Sequence, residues 1–376
     1  MKLRPSFRRT LALSRKESLQ ILRDPSSNVI AFVLPIVLLL IFGYGINLDT
    51  ARLRVGIVVQ DTGPEASEFT ASLAGSPMFE TSTAATTREM AAALTVGKVR
   101  GFVIIPPDFS DKLQRGAEVA PLEVITDGSE PNTANFVENY VRGAWEIWLQ
   151  QRAALRGEQR APAISIEPRF WFNPSAESRN YLIPGSITII MTVIGALLTS
   201  LVVAREWERG TMEALLASPV TRAELLISKV VPYYLLGILS FFICVSAAVF
   251  LLDVPFRGSI VMLWLIGSLF IGSALGIGLL ISTVTRNQFY AALMALNAAF
   301  LPALILSGFL YEIRSMPPVI RMVTNIVPAK HFVSAIQTLF QAGNVWPVLW
   351  RASALLAVAS LFFLGLTALK TRRRLD

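Results

Sequence analysis

Six long apolar runs, rather than short alternating ones, organise this chain. They are Val29 to Ile46, Leu182 to Ala204, Val231 to Leu252, Ile260 to Thr283, Phe289 to Leu310 and Val348 to Leu369. Each is close to the roughly 20 apolar residues that a helix needs to cross a bilayer. The middle four contain no Asp, Glu, Lys, Arg or His, and the last carries only Arg351 near one end, where the side chain can snorkel to the interface. Lipid offers the backbone no hydrogen-bond partners, so the spans are expected to be helices. About 28 residues precede the first run, which is too long for a signal-peptide core and lacks a small-residue cleavage site, so it reads as an uncleaved anchor.

The pattern changes between the first two runs. Residues 47–181 are more polar and alternate between short apolar stretches and turn signals. Leu53 to Val59 reads as a strand ended by the turn Gln60 to Gly63. Thr86-Thr-Arg-Glu89 has capping-box spacing, and Gly97 can close the helix it starts. Val99 to Ile105 and Leu122 to Thr126 read as further strands, stopped by Pro106-Pro107 and Asp127-Gly128, with a short helix from Asp108 to Arg115 between them. A long helix is expected from Pro131 to Arg156, with Val137, Val141, Ala144 and Trp148 on one face, and a fourth strand from Ile164 to Phe172. Alternating strands and helices imply a small α/β domain. Trp145 and Trp148 are expected in its core and Trp171 at a membrane interface, with stacking on a substrate as the alternative. Glu123, Asp127 and Glu130 are close in sequence but read as a solvated loop.

The charges orient the spans. Lys and Arg cluster in four places: Lys2 to Arg23, Arg205 to Lys229, Arg286, and Lys370 to Arg374. With six spans all four fall on one side, which the positive-inside bias makes cytoplasmic. Both termini are then cytoplasmic and residues 47–181 lie outside. The net charge of +8 is therefore topological, and no nucleic-acid recognition motif accompanies it. Hydrophobic residues make up 53% of the chain and charged residues 16%, which excludes a disordered chain or an ordinary soluble domain. One cysteine, Cys244, excludes an intrachain disulfide, and one histidine, His331, leaves no metal cluster.

The loop after the second run is the richest in signals. In Ala204 to Glu224, Met212, Leu215 and Leu216 share a helical face, while Arg205, Glu206, Arg209 and Glu213 give a charged surface. Ser218-Pro219 stops that helix. Thr221-x-x-Glu224 is a second capping box, with Val220 and Leu225 as its hydrophobic staple. The residues alone leave two readings open: a short amphipathic helix that docks a cytoplasmic protein, or a solvated loop whose arginines fix topology.

This stretch, Arg205-Glu-Trp-Glu-Arg-Gly-Thr-Met-Glu-Ala-Leu-Leu-Ala-Ser-Pro219, resembles the signature that follows the second span in type-2 ABC transporter permeases. Arg15-Lys-Glu-x-x-x-Ile-x-Arg-Asp-Pro25 before the first span and Phe172-Asn-Pro-x-x-x-Ser-x-Asn-Tyr-x-x-Pro-Gly185 before the second agree with it. The resemblance covers essentially the whole chain, including the outside insert typical of the drug-efflux-like branch. It implies that Glu206, Glu208, Arg209, Gly210, Thr211, Glu213, Leu215 and Pro219 belong to a segment coupled to a separate ATPase subunit. It implies a cytoplasmic amphipathic connecting helix in residues 1–28, on which Leu3, Phe7, Leu11, Leu19 and Leu22 fall on one face, suited to the interface plane. The first span is then 29–46, and residues 182–376 form a five-helix membrane domain with the coupling loop at 205–222.

The chain contains no G-x-x-x-x-G-K-[ST], so it is not expected to hydrolyse ATP; ATP and magnesium would enter only through the partner ATPase. The absence of charge in the central spans argues against ion-coupled secondary transport. Six spans are too few for a full pathway, so a second permease subunit, identical or paralogous, is expected. A periplasmic adaptor is a further candidate partner, and the implied location is a bacterial inner membrane. The uncharged interior points to a hydrophobic or amphipathic, drug-like or lipid-like cargo moved outward. Thr192 and Asn297 are the polar candidates along its path. Residues 311–347, broken by Pro317, Pro318 and Pro328, read as an outer re-entrant or interfacial segment, with His331 as an interfacial polar residue. The glycines Gly267, Gly272, Gly276 and Gly278 suggest close helix packing. The alternative function is a non-transporting membrane receptor or scaffold with a ligand-binding outer domain.

Overall fold

A computed structural model describes residues 6–45, 52–114, 122–128, 131–155, 173 and 177–371. The chain divides into two units, Met1–Leu48 with Arg169–Asp376, and Asp49–Pro168.

The first unit is helical. An amphipathic helix α1 (Phe7–Arg23) is followed after Asp24 by the first candidate span, α2 (Pro25–Gly45). The remaining candidate spans are α7 (Ser178–Glu208), α9 (Arg222–Phe250), α10 (Ile260–Thr285), α11 (Gln288–Leu306) and α14 (Trp346–Lys370), which makes six among the described residues. A short helix α8 (Thr211–Ala217), about two turns long, lies between α7 and α9. Two of the wide, five-residue turns in these spans, Val29–Val33 and Leu296–Phe300, immediately precede Leu34-Pro35 and Leu301-Pro302. A proline lacks the N–H that would close the regular ladder, so the preceding turn opens to accommodate it.

Helix α10 is the hub of this unit, packed against α7, α9 and α14. Its glycines are used inside the chain. A Cβ at Gly278 would sit 2.4 Å from the Ala196 carbonyl oxygen, one at Gly276 2.8 Å from Phe363, and one at Gly267 2.5 Å from Phe241. Buried hydroxyls tie the same helices: Ser282 Oγ accepts from the N–H groups of Val203 and Ala204 at 2.9 Å each, and Thr367 donates to the Gly276 carbonyl at 3.2 Å. Helix α7 is mostly buried, whereas α2, α11 and α14 fully bury only about a fifth of their residues.

The segment expected as a single re-entrant element forms two helices of opposite character. In α12 (Pro318–Thr324), Val319 and Met322 are about three-quarters exposed. Helix α13 (Pro328–Gln341) buries one whole face, with Phe332 stacked on Phe270 at 4.1 Å and 3°. Gln341 and Gln337 donate to the carbonyls of Asn180 and Tyr181, which ties α13 to the start of α7. The His331 ring nitrogen Nε2 lies 2.8 Å from the Asn325 carbonyl oxygen.

The second unit is a four-stranded sheet of order β2-β1-β3-β4. Strands β1 (Leu53–Val59), β2 (Phe79–Ala84) and β3 (Gly101–Ile105) are parallel, and β4 (Glu123–Thr126) runs antiparallel to β3. The connecting helices are α3 (Pro64–Gly75), α4 (Thr87–Thr95), α5 (Phe109–Gln114) and α6 (Pro131–Leu155). Strand alternation separates two cores. Val55, Ile57, Val103 and Ile105 face Phe69, Phe109, Val141 and Trp148, while Val58, Phe102 and Ile104 face Met90. Gly56 is required by that second contact, because a Cβ there would lie 2.2 Å from the Met90 sulfur.

Helix α3 and strand β2 were not expected from the sequence; the expected strand Ile164 to Phe172, Trp171, Glu130 and Leu3 lie outside the described residues. Thr86 caps α4 by accepting from the Glu89 N–H, and Gly97 closes it with φ 74°. Trp145 and Trp148 pack against Phe69 and Phe109, so the tryptophans are core.

Candidate coupling site

The apolar run of α7 ends at Ala204 and is followed by side chains that lash three helices together. Glu206 was expected on a charged surface. It is instead 4% exposed and accepts a hydrogen bond from Lys16 of α1 at 2.7 Å, with Lys229 of α9 at 3.6 Å. Lys229 itself is 2% exposed and donates to Glu17 of α1 at 2.9 Å. The Thr211 hydroxyl, just past the turn, also donates to the Glu206 carboxylate. Two lysines and two carboxylates thus form a charge-balanced cluster that a low-dielectric interior can hold. Burial works against a charged Lys16, yet its contacts with Glu206 and Glu17 raise its pKa above the ordinary lysine value.

Two further ties flank this cluster. Arg205 pairs with Asp24 at 2.9 Å, and Asp24 caps the start of α2 through the Ser26 N–H and the Ser27 hydroxyl. Burial opposes ionisation of Asp24, but Ser27 and Arg205 hold its carboxyl below the usual aspartate range. Glu224 accepts from the Ser6 N–H at 2.7 Å, from Arg9 at 3.0 Å and from the Thr221 N–H at 2.6 Å. The Thr221–Glu224 capping box is present as expected, and its carboxylate also anchors the first turn of α1.

The chain then turns. Gly210 adopts φ 68°, a left-handed conformation that L side chains rarely take, and starts α8. Ser218 is extended and, with Pro219, separates α8 from α9. Met212 is buried and Leu215 half-buried against the helical core; the Leu216 side chain lies outside the described residues. Glu208, Arg209, Gly210, Thr211, Glu213 and Pro219 are exposed. Glu208 accepts from the Gln288 N–H at 2.8 Å and from its side-chain amide, which joins this loop to the start of α11. Nearby, the Arg286 guanidinium lies 4.5 Å from the centre of the Trp207 ring.

Sequence reasoning placed Lys16, Glu17 and Asp24 in the motif before the first span without a partner for any of them, and missed Lys229 and the second role of Glu224. A signal existed for Lys229, since a charge on a span's first turns demands a partner. Its partner Glu17 is 212 positions away, so nothing local names it. The two path candidates are not brought together by any bond. Thr192 is buried and donates to the Thr188 carbonyl, whereas Asn297 is exposed and donates to the Leu293 carbonyl. Among the described residues no group of three or more His, Cys, Asp or Glu side chains is placed to hold a metal.

Residues 26–369 match the family model described as ABC-2 family transporter protein. The chain belongs to the ABC-2 transporter family. The ABC-2 match takes in nearly the full length of the chain, and the matched region is a membrane permease. It is 56% identical over 372 residues to the probable multidrug ABC transporter permease YbhS of Escherichia coli K12, covering 99% of this chain and 98% of that one. It is 28% identical over 347 residues to the probable multidrug ABC transporter permease YbhR of the same organism, covering 92% and 93%. The inner membrane transport permease YhhJ, also of Escherichia coli K12, is 27% identical over 74% of each chain. An ABC-2 permease works with an ATPase, and the exposed loop around Gly210 is where the sequence resemblance located that contact.

Proposed function

We propose that this ABC-2 permease is the membrane subunit of a multidrug exporter of the bacterial inner membrane, driven by a separate ATPase that docks on α8 and its flanking turns. The full-length likeness to YbhS carries the exporter reading. Glu208, Arg209, Thr211, Glu213 and Pro219 form the docking face, with Gly210 setting its angle. Glu206 and Leu215 act from beneath, holding that face to α1 and to the helical core. ATP and magnesium are handled by the partner. The ion-pair lashing of α1, α7 and α9 supports transmission: a push on α8 reaches α1 and α9 through Glu206 and Thr211 without passing through a flexible linker.

The topology belongs to the same proposal. Residues 1–28 and 205–222 lie in the cytoplasm, both termini are cytoplasmic, residues 47–181 form the outside domain, and 311–347 lie at the outer face. Near-full-length likeness to both YbhS and YbhR favours a paralogous second permease as the partner across the pathway. The cargo is hydrophobic or amphipathic, in keeping with spans that carry no charge in their centres. A periplasmic adaptor would meet the outside domain.

Purification of the chain from its native membrane in mild detergent, with mass spectrometry of what accompanies it, tests this reading. A P-loop ATPase in stoichiometric amount, lost in Glu208→Lys while the permease stays intact, is expected. Its reproducible absence from the wild-type preparation overturns the proposal.

A further inference from the structure

A groove of about 610 Å³ opens between α1 and the end of α7. Its size is that of a cleft for a small organic ligand. Lys16 and Arg23 line it from α1, Arg205 and Arg209 from α7, and Asp24 is the one carboxylate among the residues lining it. That carboxylate is already committed to Arg205 at 2.9 Å, and Lys16 to Glu206 at 2.7 Å. Arg23 and Arg209 make no ion pair and no side-chain hydrogen bond among the described residues. The groove therefore holds a surplus of positive charge with two guanidinium groups free to take an anion.

Its depth narrows the choice of anion. Pro25, also in its wall, is the first residue of span α2, and Arg205 directly follows the apolar run Leu182 to Ala204 of span α7. The groove thus lies where the apolar spans end, at the level of lipid headgroups. On α1 the apolar side chains Phe7, Leu11, Leu19 and Leu22 are 44–81% exposed, and Leu19 forms part of the groove. A helix with such a face beside basic residues lies in the interface plane. An acidic protein segment would satisfy the arginines but leave that apolar face in water; an anionic phospholipid satisfies both.

We propose that this groove binds the phosphate of an anionic phospholipid, with Arg23 and Arg209 forking its oxygens and Leu19 and Leu22 covering the first acyl carbons. The guanidinium fork matches phosphate oxygens in a bidentate way, which an ammonium group does not. The proposal shares Arg209 with the proposed ATPase docking face, whereas Arg23 and Leu19 lie on α1 outside that face, so Arg23→Gln tests the groove separately from docking.

The test uses the full chain with the proteins that co-purify with it, in phosphatidylcholine nanodiscs containing spin-labelled phosphatidylglycerol or spin-labelled phosphatidylcholine. The fraction of immobilised label reports lipid held at the protein. Wild type is expected to hold phosphatidylglycerol in preference to phosphatidylcholine. Arg23→Gln is expected to lower that preference roughly fivefold, in line with the usual worth of one basic residue at an anionic surface. Arg209→Gln is expected to do the same, and Arg15→Gln, on α1 but outside the groove, to leave it unchanged. Size-exclusion profiles and thermal midpoints of all three variants control for folding. Inorganic phosphate, added as a competitor, should not release the label. Any of three results overturns the proposal: a preference unaffected by both groove substitutions, displacement by inorganic phosphate alone, which marks a soluble-anion site, or a preference seen only after the ATPase is stripped off, which marks a protein-covered groove.

Discussion

Lys229 is buried to 2% at the end of an apolar span, and its charge is tolerable only because Glu17 and Glu206 meet it. Removing Glu17 leaves that ammonium with one more distant carboxylate. Breaking a buried pair in this way typically costs about 3–5 kcal/mol, whereas a half-exposed lysine such as Lys16 contributes at most about 1 kcal/mol. Glu17→Ala should therefore lower the thermal midpoint of the detergent-solubilised permease far more than Lys16→Ala. Equal, small losses would show that the cluster is solvated. In the α/β domain Glu65 pairs with Arg152 at 2.9 Å and accepts from Gln114 at 3.0 Å. Burial opposes its ionisation, but Gln114 and Arg152 hold its pKa below the ordinary 4.5. A carboxyl depressed in the folded state stabilises fully above its unfolded value, and the contribution disappears as pH falls through the folded one. Tryptophan fluorescence of a full chain whose other five tryptophans are replaced by phenylalanine, so that only Trp145 and Trp148 beside Phe69 report, should show acid unfolding below pH 4.5 that Glu65→Gln renders less steep. An unchanged acid profile in that variant would count against the pair.

Elements differ in how much of them the sequence discloses, and the coupling loop shows why. Its break at Ser218-Pro219 and the box at Thr221–Glu224 rest on residues within a few positions of one another. They were legible, as were all six spans. Helix α3 was not recovered, although Pro64 at its start and the spacing of Ala66, Phe69 and Leu73 were available. The turn residues Gln60 to Gly63 run straight into them, and Ser67, Glu68, Thr70 and Ser72 dilute the apolar stripe. Strand β2, Phe-Glu-Thr-Ser-Thr-Ala, is a sheet edge that buries only Phe79, so it offers almost no apolar alternation to read. Glu206 was misplaced for another reason: its burial depends on Lys16 and Lys229, from elements remote in sequence. Gly210 permits a direct test at this scale. A side chain at φ 68° costs roughly 1–2 kcal/mol, which would tilt α8 or fray its first turn. Gly210→Val should insert normally and keep its spans, yet lose most drug-stimulated ATP hydrolysis by the complex. Retained stimulation would mean that the angle of α8 is not critical to coupling.

At the scale of the whole molecule, sidedness rests on charge, and the chain's single cysteine makes it testable. Four basic segments share one side only if the six apolar runs all cross. Those runs all recur as helices long and apolar enough to do so. Cys244 is fully buried in α9, so the native protein should be silent toward a membrane-impermeant maleimide in intact cells. Reporter thiols can then be added at exposed positions without removing it. Glu68→Cys, on α3 of the outside domain, should label in intact cells once the outer barrier admits the reagent. Glu213→Cys, on α8, should label only after the inner membrane is opened. If the ATPase covers α8, labelling of Glu213→Cys in opened membranes should also fall when the ATPase is present and recover when it is washed away. That last step joins topology to coupling. Labelling of Glu213→Cys from the outside of intact cells would reverse the orientation and remove α8 from any cytoplasmic ATPase, while outside labelling of Glu68→Cys with a constantly reactive Glu213→Cys would keep the topology and displace the docking face.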